Sequence, residues 1–367
     1  MLASHEILRI YGKNYLDMTR ALLEAAELDK LIYERFSRHA RITVKPNLVS
    51  PVPAEFGATT HPEAVEGIVL YLRDKGFRNI RIAEGSWIGD KTADAYEYCG
   101  YRSLCERLQI PFTDLQKDAV VEINCAGLPL RVCRTAVQTD FLINVPVLKG
   151  HCQTRISCAL KNMKGLLPNP EKRHFHAMGL HKPIAHLNAG LRQDFILVDH
   201  ICGDPDFEDG GDPLVRSCLM AATDPVLTDA YACRLLGYDI SEVPYIGLAE
   251  ALGVGCADLS RLKLTDLGTP DPADVPLTHR TLDVSYSVED ADSCSACYGE
   301  LIGALRRLRE EGLADRLPCR LGIGQGFRGK KGAWGIGSCT AGFDFHVPGC
   351  PPTEEAIYQA LKEKLSE

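Results

Sequence analysis

The sequence predicts an α/β fold: a mainly parallel sheet with helices on both faces, followed by a smaller C-terminal α/β unit. Two observations lead there. Strand-like and helix-like segments alternate from the first residues onward, the pattern of strands joined by helical crossovers. A stretch from Thr265 to Pro276, rich in Pro, Asp, Thr and Gly, then breaks every hydrophobic period and reads as a linker. The expected domains are residues 1–265 and 277–367.

The elements follow in order. EILRIY has strand character, and residues 15–32 carry Leu16, Met18, Leu22, Leu23, Ala26 and Leu28 at helical spacing. RITVKPNLVS is a second strand running into a loop. Thr60, with Glu63 three residues on, has capping-box spacing, and Val65, Ile68, Val69 and Leu72 form one face of the next helix. NIRIAEGS and TDFLINVPVL (139–148) are further strands, TRISCALKNMKGLL (154–167) a helix, DFILVDHI (194–201) a strand and residues 214–236 a helix. Beyond the linker the reading is strand LDVSYS, a cysteine loop, a helix over 298–311, strand CRLGIG, a glycine-rich loop, strand FDFHV and a helix over 353–365.

The chain has 367 residues, 45% hydrophobic and 25% charged, an ordinary globular mix. Its net charge of −8 argues against a general nucleic-acid binder. The N-terminal segment lacks the basic and apolar regions of a signal peptide, and no apolar run approaches the roughly 18 residues of a membrane span. Fifteen scattered cysteines fit a reducing compartment better than a disulfide framework, with Cys158, Cys218 and Cys233 in apolar contexts as buried thiols. The expectation is a cytoplasmic protein.

Cys294 and Cys297 form a C-x-x-C before a helix. Cys339 and Cys350 follow, the latter in Pro348-Gly349-Cys350-Pro351-Pro352. Each stands at a strand end or helix start, and in a parallel layer such positions share one sheet edge. Four thiolates can hold a 4Fe–4S cluster, often with Pro after one ligand, or a structural zinc. The ten residues between Cys339 and Cys350 weaken zinc, whose ligands usually come in close pairs. Four unrelated thiols remain the plain alternative. GSCTAGFDFHVPGCPPTEEAI resembles the cluster-binding stretch of hydrogenase small subunits and of the cluster-bearing subunit of respiratory complex I, over about 20 residues.

A second constellation is basic. Lys45 and Asn47 flank Pro46 at a strand end; Lys149, Gly150 and His151 stand at another. A helix starting near Thr154 would add free N–H groups and carry Lys161, Asn162 and Lys164. Lysines, asparagines and a helix N-terminus suit a carboxylate or phosphate, although helical lysines are more often a solvated face. His174, His176, His181 and His186 lie in a loop-like stretch, open to proton transfer, substrate contact, metal binding or a structural part. The run Asp204, Asp206, Glu208, Asp209, Asp212 lacks EF-hand spacing and reads as a solvated loop. The glycines at 322–326 lack dinucleotide spacing and would let backbone approach a cluster.

VKPNLVSP, TTHPEAVEGIVLYLRDKGF, FLINVPVLKGH, ALKNMKGLLP, ILVDHICG and ATDPVLTDAYACRLLG, in this order and spacing, resemble the domain-of-unknown-function 362 family over residues 44–237. Many members carry an iron–sulfur domain, often with a ferredoxin-like pair of clusters. This chain departs from that pattern, with one plausible cluster and no repeated C-x-x-C-x-x-C run. The resemblance implies fold and cluster more than a reaction. The functional expectation is an iron–sulfur oxidoreductase. Lys45, Asn47, Lys161, Asn162 and Lys164 would bind a small anionic substrate, Lys149, His151 and His176 would be catalytic, and an electron donor or acceptor protein would be the partner. The alternative is a non-catalytic electron carrier, its lysines a docking surface for a larger redox complex.

Overall fold

The computed structural model describes residues 1–269, 277, 279 and 282–366. The chain divides into two compact units, residues 1–150 with 154–277, and residues 151–153 with 278–367.

The first unit is built on β1 (Glu6–Tyr11), β2 (Ile42–Pro46), β3 (Ile80–Glu84), β4 (Phe112–Asp114), β7 (Phe141–Val145), β10 (Phe195–Gly203), β11 (Leu214–Ala222) and β12 (Lys263–Leu267). Their order across the sheet is β12-β1-β11-β10-β7-β2-β3-β4. β10, β7, β2, β3 and β4 run parallel, as does β12 beside β1; only β11 is antiparallel to both its neighbours. The mainly parallel sheet expected from the alternation is present. β5 (Val120–Cys125) and β6 (Leu128–Cys133) form a separate hairpin, and β8 (Lys149–His151) and β9 (Arg155–Ser157) a short ribbon.

Alternate residues of the central strands feed two cores, as a period of two requires. Phe195 and Leu197 join Ile42, Val44, Ile82 and Ile143 on one face. Ile196 and Val198 join Leu142 and Ala83 on the other. Strands covered on both sides read as unbroken apolar runs, which is why FLINV and FILV were legible. Each fully buried aliphatic side chain contributes about 1.5–3 kcal/mol relative to exposure. Helices Tyr15–Ala26 and Pro62–Asp74 pack against each other at Gly67, where a Cβ would lie 2.7 Å from the Cβ of Thr19.

Several local expectations change. Residues 214–222 are strand β11, and the helix begins only at Pro225. Residues 265–267, taken for linker, belong to β12, while residues 270–276 of that stretch lie outside the described residues. The helix expected over 154–167 is strand β9, a four-residue helix Ala159–Asn162 and a 3-10 turn Met163–Leu166. The histidine stretch is two helices, Asn169–Ala177 and His181–Gly190, rather than a loop. Thr60 does not cap the following helix; its hydroxyl donates to the Val145 carbonyl at 2.8 Å.

The second unit holds β13 (Val288–Asp290), β14 (Leu321–Ile323), β15 (Trp334–Ile336) and β16 (Phe345–Val347), all parallel and adjacent in chain order. LDVS, expected in a strand, forms a helical turn instead. Helices Ser295–Glu310 and Glu354–Lys364 pack together through buried Leu301, Leu305, Ile357 and Leu361. The glycines of this sheet have a packing reason. A Cβ at Gly322 or Gly335 would stand 2.6 or 2.8 Å from the Phe343 ring, which lies against the strands there. Among the described residues no helix is long and apolar enough to cross a membrane.

Candidate functional site

In the first unit the adjacent parallel strands β2 and β3 end on opposite charges. Lys45 Nζ donates to Glu84 Oε2 at 2.6 Å and to the Pro46 carbonyl at 3.0 Å, with both side chains buried. Such a pair is held only where its partners are fixed, since losing one leaves an uncompensated buried charge. Burial pulls the Lys45 ammonium below its usual range, with Glu84 acting against that. The 3-10 turn Met163–Leu166 presses its backbone onto the pair. A Cβ at Gly165 would lie 2.0 Å from Glu84 Oε1 and 2.6 Å from Lys45 Nζ. Gly85 serves likewise: its Cβ would meet the Gly165 carbonyl at 2.8 Å and Lys172 Nζ at 3.1 Å. Lys172, from helix Asn169–Ala177, donates to the Gly85 and Ser86 carbonyls, each at 2.7 Å.

The surrounding cations outnumber this carboxylate. Lys164 is pushed well below the usual lysine range by burial, then by Lys161 and Lys172. Burial lowers Lys172 to about 8 despite Glu84. His176 is driven to about 3 by burial and by Lys164 and Lys161, so its imidazole is neutral at physiological pH.

Lys161 also acts on a second group. Lys149 donates to the Ala58 carbonyl and, at 2.6 Å, to the Glu208 carbonyl. Burial and Lys161 lower Lys149 to about 7, while Asp209, Glu208 and Asp204 oppose them. Asp209 rises to about 6 through burial and Glu208. The acidic run is thus solvated only in part. Asp204, Asp206 and Glu208 are buried, and Asp204 accepts backbone N–H bonds from Asp206 at 2.8 Å, Phe207 at 2.9 Å and Asp212 at 2.9 Å.

Other sequence-predicted residues are placed differently. The amide of Asn162 donates to Asn144 Oδ1 at 2.7 Å, inside a buried network through Gln193 and Asn188. Asn47 Oδ1 accepts from the Val49 N–H at 3.0 Å, shaping its own loop. The expected helix N-terminus offers no anion site, because the Asp229 carboxylate takes the Ala159 and Leu160 N–H groups at 2.7 and 3.2 Å. His151 groups with the second unit, where its Nδ1 accepts from the Gln153 N–H at 3.1 Å. His174 faces Glu171 at 3.2 Å, and His186 Nδ1 lies 2.9 Å from the Cys125 carbonyl oxygen. His181 stacks on Tyr245 at 5.9 Å between ring centres. Glu84 and Lys172 were missed by sequence reasoning, the first because strand carboxylates seldom signal anything, the second because it sits among the histidines.

In the second unit Cys294 follows β13, Cys339 follows β15 and Cys350 follows β16, so all three stand at the carboxyl edge of one parallel sheet. Cys297 lies one turn into the helix after Cys294. Burial and then Cys294, Cys350 and Cys339 push Cys297 up to about 12, and burial with Cys350 and Cys339 raises Cys294. Gly337, at φ +84°, brings backbone alongside, and a Cβ there would stand 3.8 Å from Cys297 Sγ. Gln325 Nε2 reaches Cys294 Sγ at 3.6 Å, and Arg328 Nε reaches Cys339 Sγ at 3.5 Å. Burial and the neighbouring sulfurs thus favour the neutral thiol at Cys294 and Cys297, while Gln325 and Arg328 turn N–H donors toward Cys294 and Cys339.

Residues 42–234, the part of the chain that carries the Lys45–Glu84 pair and the lysines around it, match a known family, a domain of unknown function. The chain belongs to the DUF362 family. The expected resemblance is therefore shown for the first unit. A thylakoid-associated protein from Synechocystis sp. is 24% identical over 226 residues, covering 58% of this DUF362 chain and 68% of that protein. Two solved structures are similar in part. The lactate racemase apoprotein from Thermoanaerobacterium thermosaccharolyticum has a TM-score of 0.41 at 14% identity, over 64% of this chain and 57% of that one. A protein from Thermotoga maritima has a TM-score of 0.39 at 15% identity, over 62% and 60%. The DUF362 chain thus spans less than two thirds of either.

Proposed function

We propose that this chain is an iron–sulfur oxidoreductase. Its first unit would hold a small anionic substrate, a carboxylate or phosphate, on Lys45, Lys149, Lys161, Lys164 and Lys172. Its second unit would hold one 4Fe–4S cluster on Cys294, Cys297, Cys339 and Cys350, served by an electron donor or acceptor protein. The observation that carries the substrate reading is the lowering of Lys149, Lys164 and Lys172 by burial and by the charges of neighbouring lysines. Lysines depressed by burial and by one another are relieved by a bound anion, which restores their charge. Their depth supports substrate binding over docking to a protein surface, since Lys45, Lys149 and Lys172 expose 0%, 1% and 5%.

The chain's own residues have distinct parts. The lysines bind and orient the anion. His176, neutral through burial and the nearby lysines, can offer the anion a hydrogen bond without adding charge. Gln325 and Arg328 direct N–H groups at two cluster ligands, the kind of contact that tunes a cluster's potential. The cluster, when bound, supplies electrons one at a time.

Anaerobic purification with iron, zinc and sulfide analysis, plus mass spectrometry of small molecules released on denaturation, tests this reading. About four iron and acid-labile sulfide per chain are expected, with a carboxylate or phosphate in the extract. Zinc without sulfide sinks the cluster, and failure of sulfate, phosphate and oxalate to bind sinks the anion site.

A further inference from the structure

The first unit also contains three buried side chains in a line. Asp199 and Cys202 come from β10, and His61 directly precedes helix Pro62–Asp74. His61 Nδ1 lies 2.8 Å from Asp199 Oδ2, which also accepts the His61 backbone N–H at 2.8 Å. The opposite ring nitrogen, Nε2, lies 3.7 Å from Cys202 Sγ. A carboxylate that fixes the ring's orientation, an imidazole and a thiol in sequence make the arrangement that activates a cysteine. Burial disfavours the charged ring, but Asp199 and Cys202 outweigh it and raise His61 to about 10. The ring thus holds a proton on the nitrogen facing sulfur. The Tyr15 ring closes one side, edge-on to His61 at 5.3 Å.

We infer that Cys202 is a peroxide-reactive cysteine, a modification site in which His61 serves the thiol and Asp199 positions His61. The pocket's closure selects the class of reactant. Cys202 exposes 6% of its surface, which favours a small oxidant over a bulky acyl or peptide substrate. In the step, the thiol sulfur bonds to one peroxide oxygen as the O–O bond breaks. Sulfur loses two electrons and becomes a sulfenic acid. The sulfur reacts as thiolate, its proton held on His61; the departing oxygen takes that proton and leaves as water, so in sum Cys-SH and H2O2 give Cys-SOH and H2O.

The chain carries its own control. Cys99 is buried to the same degree, at 5%, and like Cys202 its sulfur lies near backbone carbonyls, at 3.2 Å from Val52 and 3.5 Å from Ser50, against 3.4 Å from Ala54 for Cys202. No histidine is among the hydrogen-bond partners found for Cys99, and burial pushes its thiol up to about 11. Trypsin separates the two, because residues 92–102 contain only Cys99 and residues 193–216 only Cys202. The anaerobically purified full chain would be exposed to hydrogen peroxide with a metal chelator, quenched at intervals into denaturant containing dimedone, digested and quantified by mass spectrometry. Cys202 is expected to form the sulfenic adduct about a hundredfold faster than Cys99, the low end of what a positioned acid–base group contributes. Asp199→Asn should bring the Cys202 rate down toward that of Cys99 while leaving Cys99 unchanged. Equal rates at the two cysteines in the unmodified chain, or a Cys202 rate indifferent to Asp199→Asn in a folded variant, would overturn the inference.

Discussion

Anion binding in the first unit should depend on pH in a direction set by Lys172. Its folded pKa, about 8, lies below the unfolded value of about 10.4. The unfolded chain therefore binds more protons between those values, and this group adds stability as pH rises from about 8 toward 10.4. An anion beside Lys172 works in the opposite sense, favouring the protonated form. The lysine is about nine-tenths protonated at pH 7 and about one-tenth at pH 9, which costs a ligand that requires the charge about tenfold in affinity. Lys149, lowered to about 7, steepens the fall. The assay is isothermal titration with sulfate, whose charge does not change over this range, in buffers of different ionisation heat. Near pH 8 binding should take up about half a proton through Lys172 alone. Lys172→Met should weaken binding at pH 7 and remove its share of the slope. A sulfate affinity that is flat from pH 7 to 9 and identical in every buffer would refute the argument that these lysines meet an anion.

Other perturbations separate the parts. Lys149→Ala should abolish sulfate binding while leaving the visible absorbance of the anaerobic protein intact. Gly165→Ala drives a methyl to 2.0 Å from Glu84 Oε1, so urea denaturation should show about 1–3 kcal/mol of lost stability, together with weaker sulfate binding. Cys350→Ala should empty the second unit of iron while the unfolding transition of the first unit persists. Gln325→Leu removes an N–H that stabilises added negative charge on the sulfurs; at about 0.5–1 kcal/mol the midpoint potential by redox titration should move roughly 20–40 mV more negative.

What the sequence made legible was whatever a contiguous pattern carries. The fully apolar strands, the turn-flanked cysteines and the lysines at strand ends follow from local composition and spacing. β11 was mistaken for helix because LVRSCLMAA mixes Arg216, Ser217 and small residues and shows no strict alternation, and its antiparallel place between β1 and β10 is a tertiary choice. The short helix at Ala159 is bounded by Asp229, a residue 70 positions away that takes its first N–H groups. The histidine stretch read as a loop, yet it forms two helices whose prolines, Pro170 and Pro183, fall in the first turn, where the missing N–H has no partner to lose. The Lys45–Glu84 pair depends on register. Val44 lies opposite Ile82, and only that alignment brings a lysine from one strand end to a glutamate from the next. The same limit hid the line from Asp199 to Cys202, since a cysteine in an apolar strand reads as a small hydrophobe until a distant loop lays a histidine against it. Charge pairs and histidine–thiol contacts are properties of meeting points, and a sequence lists their members without recording which strand ends will meet.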